Sequence, residues 1–160
     1  MAILRVLVSY YSQTGNTEKM VKAVMEGAKT VQELEVELSY YVSAEMLSQF
    51  DAIAVGVPTY HHDMTLEMKR LFEEAAVKNV ELRGKLGAAF GSYGWSGEAP
   101  GMVLEIMKNK FEMSVIGPPI LVKYAPDAAG LDKCRELGKT LAERLMHTAQ
   151  HALSSGGQES

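Results

Sequence analysis

The chain has 160 residues, 47% of them apolar and 22% charged, with a net charge of −4. That length builds one domain with a substantial core, and the composition is that of an ordinary globular protein. The mild acidic excess argues against nucleic acid as a partner, and the apolar runs are too short to span a membrane. The single cysteine, Cys134, cannot form an internal disulfide. It shares a helical face with Leu131, Leu137, Leu141 and Leu145, so it reads as a buried thiol. No cleavable leader pattern precedes the first apolar run at Ile3, and the cytoplasm is the expected compartment.

The run from Ile3 to Val8 predicts a buried strand over 3–9. Met20, Val21, Val24, Met25 and Ala28 fall on one helical face and predict a helix over 16–28. Leu34, Val36 and Leu38 alternate with Glu35 and Glu37, the pattern of a half-exposed edge strand over 34–40. A short helical turn is expected at 44–48. The continuous apolar run Ala52 to Val57 has the signature of a central parallel strand, ended by Pro58. A helix follows over 65–77 with Met68, Leu71, Phe72, Ala75 and Ala76 inward, then a buried strand over 86–90. The Gly-rich loop 91–97 leads into a helix over 100–110. The last strand is expected over 114–123, with Gly117-Pro118-Pro119 marking a bulge or break, and the last helix over 128–148. The domain is placed at 1–150, and 151–160 is expected to be a disordered tail.

Strands that alternate with helices imply an α/β fold, a parallel sheet covered on both faces. Ligands of such sheets sit at the carboxyl ends of the strands. Three loops lie there, at 12–17, 58–64 and 91–97. The first places Ser12, Thr14, Asn16 and Thr17 between a strand and a helix. A helix start needs one capping residue, and four hydroxyl or amide side chains cluster here. Helix N-termini bind phosphate through free backbone N–H groups and a positive dipole end. The loop carries no Lys or Arg and matches neither the nucleoside-triphosphate loop nor the dinucleotide fingerprint. In the third loop Trp95, the only tryptophan, stands between Gly94 and Ser96-Gly97, outside any apolar helical stripe. It reads as a stacking ring or as a lid packed over the sheet end, and Tyr60 and Tyr93 can stack too. Adjacent His61 and His62 point apart in a loop and no Cys or His lies at ligand spacing, so no metal site is assigned. No G-x-S-x-G elbow exists for hydrolysis, and no catalytic residue is assigned.

Ser12-Gln13-Thr14-Gly15-Asn16-Thr17 resembles the phosphate loop of flavodoxins. Val57-Pro58-Thr59, the loop Gly91 to Gly97, and Val122-Lys123-Tyr124-Ala125-Pro126-Asp127 are similar to the flavodoxin domain of flavodiiron proteins, the A-type flavoproteins. The resemblance spans about 3–148. It implies a short-chain, flavodoxin-like three-layer fold with a five-stranded parallel sheet in the order 2-1-3-4-5, and one FMN held without a covalent link. On that resemblance Ser12, Gln13, Thr14, Gly15, Asn16 and Thr17 bind the phosphate. Pro58, Thr59, Tyr60 and His61 match the second flavin loop, and Ser92, Tyr93, Gly94, Trp95 and Gly97 the third. Two departures stand out. The metal-binding domain of flavodiiron proteins is missing, and Tyr60-His61-His62-Asp63 replaces a turn that commonly contains Asn and Gly. With no Gly between Pro58 and Met64, a left-handed turn there falls to His or Asp at a conformational cost.

The resemblance implies an electron-transfer protein that cycles flavin redox states. Its redox partners would be ferredoxin-type, reductase or diiron proteins, with no nucleic acid and no membrane. Two alternatives stay open: an NAD(P)H-dependent FMN or quinone reductase of the same fold, and a detached flavodoxin module that serves a diiron partner. A carrier is favoured over an enzyme, because positioning and tuning the cofactor demand no acid or base from the chain.

Overall fold

Period-2 burial in the first strand decides the architecture. In β1 (Leu4–Tyr10), Val6 and Val8 pack to one side and Leu7 to the other, all fully buried. Both faces of the sheet must therefore be covered. A computed structural model describes residues 3–11, 15–40 and 42–156, with side chains as far as 151. The further elements are α1 (Gly15–Ala28), β2 (Leu34–Ser39), a 3-10 turn (Ala44–Gln49), β3 (Ala52–Gly56), α2 (Leu66–Val77), β4 (Leu86–Tyr93), α3 (Glu98–Glu105), β5 (Ser114–Val115), β6 (Ile120–Lys123) and α4 (Ala128–Gly156).

All strand pairs are parallel, in the order β2-β1-β3-β4-β5. The expected last strand is split by the Gly117-Pro118-Pro119 segment. β5 pairs with Leu86 and Gly87 at the start of β4, while β6 pairs with Phe90 to Tyr93 at its end. The sheet thus has six strands, two of them sharing one edge of β4. α3 continues into one π-helical turn, Ile106–Lys110, where the Phe111 N–H reaches back to the Ile106 carbonyl. α4 runs eight residues past the expected end at 148, into the segment expected as a tail.

One face of the sheet packs on α1 and α4, with Val6, Val8, Ala52, Ala54, Ala88 and Phe90 against Met20, Val24, Cys134 and Leu141. The other carries Leu7, Ile53, Val55 and Ala89 under the 3-10 turn, α2 and α3. Met64, at the end of the second loop, is a buried member of this second core. α1 and α4 touch backbone to backbone. A Cβ at Gly27 would lie 1.8 Å from the Arg135 carbonyl oxygen, and one at Gly138 would lie 1.9 Å from that of Val24. Burial pushes the Cys134 thiol up to about 11, so it stays protonated and inert. β2 is the exposed edge, where the Arg5 guanidinium meets Glu37 at 2.8 Å and Glu35 at 3.6 Å and covers the Phe50 ring. No helix among the described residues is long and apolar enough to cross a membrane.

Candidate functional site

The carboxyl ends of β1, β3 and β4 bring the start of α1 and two loops around an open cleft of about 920 Å³. Asn16, Pro58, Thr59, Tyr60, His61, Ser92, Tyr93, Gly94 and Trp95 line it, as do His62, Ser96 and Tyr124, which are outside the set matched from sequence. Ser12, Gln13 and Thr14 lie outside the described residues. Gly15 opens α1, and the first-turn N–H groups of this fourteen-residue helix have no intrahelical acceptors.

Three expected residues hold the walls together: Thr17, Gly97 and Thr59. Thr17 is fully buried, and its Oγ1 lies 3.3 Å from Ser92 Oγ, which ties the first turn of α1 to the end of β4. Gly97 precedes α3 and lets the Tyr93 ring close in, since a Cβ there would stand 3.1 Å from it. Thr59, which also borders the cleft, works across the loops. Gly97 has no side chain to cap α3, and Thr59 Oγ1 accepts from the Ala99 N–H at 3.0 Å in its place. The Thr59 N–H donates to the Ser92 carbonyl at 3.4 Å. The second and third loops are therefore one hydrogen-bonded unit.

The second loop closes as a two-residue hairpin. Tyr60 and Asp63 exchange backbone hydrogen bonds of 2.9 and 3.0 Å. Both central residues, His61 (φ +50°) and His62 (φ +64°), are left-handed, as such a hairpin requires. Asp63, the other residue considered for that conformation, serves as an anchor. One of its carboxylate oxygens accepts from the Met64 N–H at 2.8 Å and the other pairs with Lys69. These contacts, Lys69 first, lower its pKa.

His62 reaches the third loop. Its Nδ1 lies 2.9 Å from Ser96 Oγ and 3.0 Å from Glu98 Oε1. A carboxylate only accepts, so Nδ1 carries the proton. The Ser96 hydroxyl, then His62, pull the Glu98 carboxyl down to about 2, and its place at the start of α3 suits a negative charge. Serine and acid share one imidazole nitrogen. A hydrolytic triad needs them on opposite nitrogens, so this set does not form one.

The aromatic rings complete the site. Trp95 is 89% exposed, which removes the lid reading, because a lid would bury its ring. Tyr60 and Tyr93 are half-buried at the cleft. Rings beside glycine-rich backbone suit a flat aromatic ligand with polar edges, and the start of α1 suits an anionic group. The cleft also lies within the usual volume of cofactor pockets, roughly 300–1,000 Å³. These residues fit FMN.

Comparison with known proteins agrees with this geometry. The flavodoxin family profile matches residues 8–138. A type A flavoprotein of Rhodobacter capsulatus is 37% identical over 145 residues, covering 87% of this chain and 33% of its own length. The chain thus spans about a third of that relative. A flavodoxin of Aquifex aeolicus is 34% identical over 158 residues, covering 87% of this chain and 85% of its own. A solved archaeal flavodoxin superposes with a TM-score of 0.81 at 36% identity, over 90% of this chain and the whole of that one.

Proposed function

Because the chain belongs to the flavodoxin family of FMN-binding electron-transfer proteins, we propose that it is a carrier that passes electrons between protein partners. The cleft carries this reading, since it joins a helix N-terminus to a set of aromatic rings at the end of a parallel sheet. Bound FMN would supply one- and two-electron redox chemistry. The chain's own residues bind, orient and shield it. Ser12, Gln13, Thr14, Gly15 and Asn16 would hold the phosphate, with Thr17 fastening that turn to β4. Tyr60, Trp95 and the backbone of 58–61 and 92–94 would hold the ring system, and Thr59 and His62 would keep the two ring loops at a fixed separation.

Ferredoxin-type and reductase proteins are the proposed partners. The similarity to one third of a type A flavoprotein favours a second reading, delivery of electrons to a separate diiron protein. We place the carrier in the cytoplasm, where a lone reduced thiol such as Cys134 is usual. The test is an anaerobic reductive titration of the FMN-loaded protein, with absorbance followed throughout. Reduction in two separate one-electron steps, without direct oxidation of NAD(P)H, is expected. Rapid two-electron reduction by NAD(P)H would replace the carrier with a reductase.

A further inference from the structure

Tyr124 follows β6 at φ +58°, a left-handed conformation in which bulky residues are rare. Packing does not explain it, because the side chain is 63% exposed. The backbone is held in place by the Tyr124 N–H, which donates to the Tyr93 carbonyl at 2.7 Å. The ring lies along the cleft wall beside the third loop, where a Cβ at Gly94 would stand 3.6 Å from Tyr124 Cε1. The Lys123 ammonium sits 5.5 Å from the ring centre and steadies it. A strained backbone that presents an uncovered ring to a cleft is the pattern of a functional contact.

We propose that Tyr124 is a flavin-contacting residue, an aromatic wall beside Gly94 that packs against the ring system of the cofactor. The inference rests on the FMN reading above and adds a contact from the end of β6, outside the three loops.

The test uses the apo-protein, with FMN and riboflavin titrated by fluorescence and a thermal melt run alongside. Tyr124→Gly is expected to weaken both ligands by the same factor, about three- to tenfold, because the ring is contacted and the phosphate is not. Its melting temperature should stay within about 2 °C of wild type, since relief of left-handed strain offsets the freer unfolded chain. Tyr124→Phe should keep wild-type affinity. Unchanged binding by Tyr124→Gly would overturn the inference. So would a fall in melting temperature well beyond that margin, which would make the ring a packing element. A wild-type protein that binds no FMN would overturn the carrier reading itself, whereas loss of the Tyr124 effect alone leaves that reading standing.

Discussion

The α1–α4 face and the cleft loops are built on opposite terms. On the face, apolar side chains are buried and backbones touch at Gly27 and Gly138. In the loops, three aromatic or imidazole residues are left-handed (His61, His62 and Tyr124), and Trp95 stands almost wholly in solvent. Close packing is where a domain finds its stability. Strain and exposed rings persist only where the surrounding structure over-determines them. Here the surroundings are the hydrogen bonds from the Ala99 N–H to Thr59, from the Thr59 N–H to Ser92, and between His62 and both Ser96 and Glu98.

The largest expected effect breaks the packed face. Gly138→Ala places a methyl group 1.9 Å from the Val24 carbonyl oxygen, an atom of rigid helix backbone. The helices must separate, at a cost of about 3 kcal/mol, the upper end for overpacking. Thermal melts should show a fall of roughly 10 °C. A melt within 2 °C of wild type would mean that the two helices slide freely. The next effect belongs to the loops. Trp95→Ala should weaken FMN about tenfold and leave the apo-protein melt unchanged, because so exposed a ring stabilises nothing else. Equal FMN affinity would remove Trp95 from the site.

Smaller effects sharpen the contrast. The Glu98 carboxyl is held at about 2 in the folded chain, below its ordinary 4.5. Its lowered value adds stability above pH 4.5 that is lost as pH falls through about 2. Melts of wild type and Glu98→Gln across that window should converge towards the acid end, and parallel curves would show that the contact to Ser96 and His62 carries no stability. The smallest effect is expected at His61→Gly. Left-handed backbone costs a non-glycine residue about 1–2 kcal/mol, and the freer unfolded chain returns roughly 0.5–1 of it. Denaturant unfolding should give a gain of at most about 1 kcal/mol. A clear loss would mean that the imidazole packs in the apo-protein.

Most of the fold was legible because it rests on local periodicity. Alternation in β2, the continuous run of β3 and the apolar stripe of α1 each follow from burying one face or two. The loops were legible because glycines, hydroxyls and aromatics gathered outside those stripes. His62, Ser96 and Tyr124 were not assigned to the site. Tyr124 sits thirty residues from Gly94, and no local pattern reports that β6 returns beside β4. Thr59 looked like a ligand residue, and its task as the cap of α3 involves a donor forty positions away.

By itself, the sequence determined the order of strands and helices, the two-sided burial of the sheet and the position of the loops at the carboxyl ends of the strands, because each depends on neighbours within a few residues. Tertiary structure alone decided that the last strand divides between the two ends of β4, that both His61 and His62 turn left-handed, and that Thr59 and His62 lock two loops together. Those outcomes depend on which groups meet across the finished sheet. A buried N–H or a carboxylate pairs with whichever partner the packing brings within reach, and only the folded chain specifies that partner.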